Sequence, residues 1–352
     1  MLIAHVLRLT KWEWFKLRKR WMPWILLGIA VLLAQVGFWA NYAAYHNDTV
    51  QEVFSGGSSS FSTTFERDDE TVSLTMSCSD IVNDRMPPEF DQLTEEQKQV
   101  FLNDVEEFSG GGACDNFQVA DEFRKGFILP DSITGAIGGF SAVGPLLIMV
   151  LAASVMGSEY GWGTLRNVLT RGTGRWQLLS AKLLLLLRLC SDVLIILAVL
   201  AVVSSFIAGV IPPSETGELA DPGTWLDIVV EYLKIVYSLL PFIALSVFLT
   251  VLTSSTAVGI AVSIGYYLVE AILSPILNLN DTLSNVTDYL LVASVNTWNA
   301  APLVEVEVSS VSGEQSSDAL QAFLVIFVYT AVLLGVSFWL FMRRDIAGAR
   351  GD

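Results

Sequence analysis

Residues 132–158 read SITGAIGGFSAVGPLLIMVLAASVMGS, 27 positions without an Asp, Glu, Lys or Arg. A helix of that length rises about 40 Å, enough to cross a bilayer whose hydrocarbon core is about 30 Å thick. On one side of this run, residues 21–45 are again free of charge. On the other, residues 183–211, 228–252, 257–277 and 319–342 are long, apolar and poor in charge. Six such runs predict an all-α polytopic membrane protein with six transmembrane helices, because only internally hydrogen-bonded segments cross lipid. Composition agrees. Charged residues make up 16% of the 352 positions, against roughly 25% in soluble domains. The first run, 25 residues long, exceeds a signal-peptide apolar core and reads as an uncleaved first span.

The charges between the runs alternate in sign. Residues 1–20 carry Arg8, Lys11, Lys16, Arg18, Lys19 and Arg20 against Glu13 alone, and residues 159–182 carry four basic side chains against Glu159. The tail, 343–352, adds Arg343, Arg344 and Arg350. Residues 46–131 hold nineteen acids and five bases, and the segments 211–227 and 278–318 hold acids but no Lys or Arg. Basic segments stay cytoplasmic. Six spans put every basic segment on that side, with both termini inside and residues 46–131 outside. The net charge of −16 argues against nucleic acid as a partner.

Ile3, Val6, Leu7, Thr10, Trp14 and Leu17 share a helical stripe, so residues 1–20 are expected to form an amphipathic helix on the bilayer surface. Residues 46–131 suit a small α+β domain. Thr94 and Gln97 bracket a capping box, Val100, Phe101, Val105 and Phe108 give the helix an apolar side, and residues 71–76 alternate like a strand. Cys78 and Cys114 can close a loop of about 36 residues as a disulfide, valued at about 3–4 kcal/mol by chain entropy. Two unpaired thiols are the other reading.

Soluble-enzyme chemistry finds no support. There are two histidines, no metal-ligand spacing and no Gly-Lys dipeptide, so the phosphate-binding G-x-x-x-x-G-K-[ST] loop is excluded. Ionisable residues within spans are costly and deserve scrutiny. Arg188 and Asp192, spaced i,i+4, can pair on one face of span three, and Glu231 and Lys234 can pair in span four. Glu270 stands alone in span five, either facing a cavity or another helix, or near enough to the outer interface to hydrate.

Between spans two and three the sequence runs GSEYGWGTLRNVLTRG, residues 157–172, then Arg175 and Ala181-Lys182. Residues 164–169 can form a short surface helix with Leu165, Val168 and Leu169 on its apolar side and Arg166 and Arg171 facing water or a partner. The motif Gly157, Glu159, Gly163, Thr164, Leu165, Arg166, followed by Arg175, Ala181 and Lys182, resembles that of permease subunits of ABC-2-type transporters. The basic start, the large insertion after span one and the Arg343-Arg344-Asp345 ending extend the likeness along the chain.

That resemblance implies a coupling segment that docks on a separate P-loop ATP-binding subunit, through Glu159, Tyr160, Gly163, Thr164, Leu165, Arg166, Val168, Leu169 and Arg171. It implies a second permease copy or sister. It implies ATP and Mg on the partner with no cofactor or metal in this chain, and export across a bacterial plasma membrane. It also pairs residues 289–294 with short re-entrant outer helices. The competing expectations are a membrane-anchored sensor that uses residues 46–131 to bind a ligand, and an ion-coupled secondary transporter that uses Asp192 or Glu270.

Overall fold

The computed structural model describes residues 2–46, 60–67, 70–77, 81, 86–87, 90, 93–110, 123, 125–161, 174–208, 222–277, 287–301 and 313–343. Cys78 and Cys114 lie outside this set. In chain order the elements are α1 (Leu2–Arg18), α2 (Trp21–Tyr45), β1 (Ser60–Arg67), β2 (Glu70–Ser77), α3 (Glu95–Gly110), α4 (Asp131–Gly161), α5 (Arg175–Ile207), α6 (Pro222–Thr253), α7 (Thr256–Leu277), α8 (Leu291–Ala300) and α9 (Gly313–Arg343). Among the described residues, six helices are long and apolar enough to cross a membrane: α2, α4, α5, α6, α7 and α9.

Several helices outrun their apolar runs. α4 continues through Glu159 and Tyr160, and α5 begins at Arg175 rather than near Leu183. The 33 residues of α5 rise about 50 Å, well beyond the bilayer core. Hydropathy marks where a helix leaves lipid. It does not mark where the helix ends, because backbone hydrogen bonding continues into water.

The described residues group into two compact units. The first draws on Met1–Gln35, Ile133–Val202 and Pro213–Asp352. α6 is its centre: 61% of its most apolar stretch is buried, against 11% in α7 and α9. Leu239, Phe242 and Val247 of α6 are fully buried. The Ser246 hydroxyl donates to the Met149 carbonyl of α4 at 2.7 Å. Outward-facing side chains are largely apolar, including Ile195, Val269, Ile272 and Phe327, each more than half exposed. Such surfaces are unstable in water and ordinary in lipid.

α6 turns into α7 at Ser254, which takes a left-handed φ of 54°. The two helices then run close together. A Cβ added at Gly259 would meet the Thr250 backbone, with Cα 3.2 Å away. Small residues at such crossings let helices approach and pack in lipid.

The second unit draws on Val36–Ser132 and Val203–Pro212. β1 and β2 form an antiparallel hairpin from Ser60↔Ser77 to Arg67↔Glu70. Leu74 and Met76 of β2, with Leu93 and Phe101, make a small core. α3 opens with reciprocal bonds: the Thr94 N–H donates to Gln97 Oε1 at 3.2 Å, and the Gln97 N–H to Thr94 Oγ1 at 3.4 Å. Elsewhere in this unit Phe127 and Ile128 pack on Phe38, Tyr42 and Tyr45. The Ser205 hydroxyl donates to the Phe127 carbonyl at 2.8 Å.

Replacing Thr94 with Ala removes one side of the α3 cap and should cost about 1 kcal/mol locally. Hydrogen exchange should show faster exchange at the amides of Glu96 to Lys98 and unchanged rates in the centre of α6.

Candidate functional site

Lys182 decides what the ends of α4 and α5 do. It lies on the face of α5 that also carries Leu178, Leu179, Leu185 and Leu186, all buried, and is itself only 2% exposed. An ammonium in such surroundings must be matched by charge and hydrogen bonds. Three groups match it: Glu159 Oε1 at 3.2 Å, Glu13 Oε2 at 3.4 Å and the Val155 carbonyl at 3.0 Å. Lys16 closes the group, 2.7 Å from Glu13 Oε1 and 3.9 Å from Glu159 Oε1. Two acids and two bases from three helices thus form one cluster of balanced charge, buried at Glu13, Glu159 and Lys182 and reaching solvent at Lys16.

The cluster fixes α1. Thr10 donates to the Ala181 carbonyl at 3.4 Å, Leu17 is buried and Trp14 is half-buried. The described part of the apolar stripe therefore faces protein, where a surface helix was expected to face lipid. Trp12 and Phe15, outside that stripe, are exposed. Burial alone would raise the Glu13 carboxyl. The Lys182 and Lys16 ammonium groups outweigh it and hold Glu13 below its ordinary value.

Two further contacts start from the same helix ends. A Cβ at Gly157 would lie 2.8 Å from Thr256 Cα, so only glycine lets α4 pass the start of α7 this closely. At the start of α5, Arg175 Nη1 donates to the Met342 carbonyl at 2.9 Å. That is a cation on the last turn of α9, where free carbonyls and the helix dipole favour positive charge. The two helix ends that flank residues 162–173 therefore touch α1, α7 and α9.

Of the residues expected to couple, Glu159 and Tyr160 form the last turn of α4. Gly163, Thr164, Leu165, Arg166, Val168, Leu169 and Arg171 lie outside the described residues. Arg188 Nε is 3.5 Å from Asp192 Oδ2, with side chains 60% and 38% exposed, and the Arg188 guanidinium sits 5.6 Å from the Trp14 ring centre. Lys234 Nζ is 3.3 Å from Glu231 Oε2.

Glu270 faces another helix. α8 starts at Leu291, and the residue before it, Leu290, has a side chain that cannot cap it. Glu270 Oε1 accepts the Val292 N–H and, at 3.3 Å, the Ala293 N–H. A carboxylate from α7 thereby does the work of a missing N-cap and meets the positive end of α8.

Sequence reading passed over Glu13 and Lys16 as parts of a site. The signal was present. Glu13 falls on the stripe of Thr10 and Leu17, and an acid on an apolar stripe needs a cation. Lys182 supplies it from the leucine face of α5.

A family model described as ABC-2 family transporter protein matches residues 8–346. No curated protein and no solved structure gives a significant match.

Replacing Lys182 with Met leaves Glu13 and Glu159 buried together and should cost about 3–5 kcal/mol. Thermal unfolding in detergent should show a lowered midpoint, largely recovered in Lys182→Met/Glu159→Met, where Glu13 keeps Lys16. The Glu13 pKa is lowered in the folded state. Its stabilisation is therefore present above the ordinary value of 4.5 and is lost as pH falls from there through the lowered value. Glu13→Gln should flatten the stability profile in that window and leave its slope near neutral pH unchanged.

Proposed function

Since the chain belongs to the ABC-2 family of transporter proteins, we propose that it is the permease through which a separate P-loop ATP-binding subunit drives export across a bacterial plasma membrane. Both termini and residues 159–182 face the cytoplasm, on the strength of their Lys and Arg excess. Residues 46–131 face outward. ATP and Mg belong to the partner, and a second permease copy or sister completes the membrane pathway.

The observation that carries this reading is the ion cluster of Glu13, Lys16, Glu159 and Lys182, buried at all but Lys16. Residues 159–182 are the coupling segment, with Glu159, Tyr160, Gly163, Thr164, Leu165, Arg166, Val168, Leu169 and Arg171 on the side of the partner. ATP-driven movement of the partner pulls on the ends of α4 and α5. Those ends cannot move alone, because separating buried charges costs several kcal/mol. α1 follows through Glu13, α7 through the Gly157 crossing and α9 through Arg175. A local push thereby becomes a displacement of several spans.

On the outer side, α8 serves as the re-entrant helix. Glu270 lies seven residues before the end of α7, about 10 Å along its axis, and still reaches the first turn of α8. The start of α8 therefore dips below the end of α7. This use of Glu270 as a cap supports a positioning role for it in preference to ion coupling.

Docking and coupling separate experimentally. Co-expressed with its ATP-binding subunit, the chain with Glu159→Ala and Leu165→Ala should lose co-purification. Gly157→Leu should retain it, while the permease-dependent part of ATP hydrolysis in nanodiscs falls about tenfold. Full binding by the double variant would sink the docking assignment.

A further inference from the structure

α1, α2, α4 and α5 line a half-open pocket of ≈ 390 Å³. Its walls are apolar, from Leu26 and Ala30 on α2, Phe140 and Leu151 on α4 and Val193 on α5. Phe140 and Leu151 are eleven residues apart, about 16 Å along α4. That is close to the depth of one leaflet's hydrocarbon, half of about 30 Å. Two ionisable residues line the space. Asp192 is already paired with Arg188 at 3.5 Å. Arg18 stands at the end of α1, beside Trp14 and Trp24.

A second groove, ≈ 470 Å³, shares Arg18 and Trp24 with the first and adds Lys19, Arg20, Trp21 and Ile25. The two spaces meet at one rim. One is a deep apolar slot. The other is a basic shelf with two tryptophans, the side chains that collect at the bilayer interface. The slot is far too small for a helix, which is about 10–12 Å across. An apolar space of this kind, opening towards lipid, takes hydrocarbon rather than water.

We propose that this slot and shelf together bind one anionic phospholipid from the leaflet adjoining α1, with one acyl chain in the slot and the phosphate on Arg18 and Lys19. The lipid fills the space between α1 and the spans it packs against, next to the face of α1 that carries the ion cluster. Charge complementarity selects the headgroup, because each basic side chain near an anionic surface favours binding about fivefold. The site needs only the membrane setting of the spans and is independent of any ATP-binding partner.

Native mass spectrometry of the full chain, released from detergent after exchange with phosphatidylglycerol or phosphatidylcholine, tests this. One phosphatidylglycerol should be retained per chain. Arg18→Gln/Lys19→Gln should lower that retention about thirtyfold and lower phosphatidylcholine retention far less, because its choline cation offsets the phosphate charge. Ala30→Leu should narrow the slot and weaken retention of both lipids. Should that variant fail to fold, the exposed Arg18/Lys19 pair still decides the matter. Equal retention of the two lipids, or phosphatidylglycerol retention unaffected by the Arg18/Lys19 pair, would overturn the proposal. Loss of ATPase binding in the Glu159/Leu165 variant bears on the coupling reading and leaves this one untouched.

Discussion

A buried ammonium group sets the terms for one end of this protein. Lys182 sits among leucines on the inner face of α5, where an unmatched charge would be intolerable. It is matched by carboxylates from two other helices and by a backbone carbonyl. Removing either carboxylate leaves an excess of positive charge beside the leucines. The position of α1 and the register of α4 against α5 therefore follow from the same requirement. Burial of apolar area is non-directional, whereas this cluster accepts a single arrangement of three helices.

The other contacts at these helix ends work by different physics toward the same result. At Gly157 the constraint is steric, since a methyl group would collide with the start of α7. At Arg175 it is the affinity of a cation for the last carbonyls of α9. Together they tie the ends of α4 and α5 that flank residues 162–173 to α1, α7 and α9. The Glu270 cap on α8 follows the same logic near the opposite end of α7. A carboxylate that is expensive to bury is held by amides that would otherwise be unpaired.

The lipid site proposed beside the ion cluster adds a reason for the composition of residues 14–24. Their arginines, lysines and tryptophans suit a headgroup region, while the slot beyond them suits a chain. Polar restraint and lipid packing would then act on the same helix from adjacent faces.

The sequence by itself determined the membrane class, six spanning helices and the family, because these depend on long apolar runs and on a short motif that any local reading detects. It also announced the α3 cap, since Thr94 and Gln97 are three residues apart. It marked Glu159 and Lys182 as motif residues without revealing that they touch. Only the tertiary structure decided that Glu13 and Lys16, some 170 positions from Lys182, complete their charge balance. Only the structure turned the stripe of Thr10 and Leu17 toward protein, and it alone made Glu270 a cap for a helix that begins 21 residues later. The physical reason is the same throughout. Apolar transfer is additive along the chain and legible in composition, whereas pairing a buried charge depends on which helices meet, and separation in sequence carries no record of that.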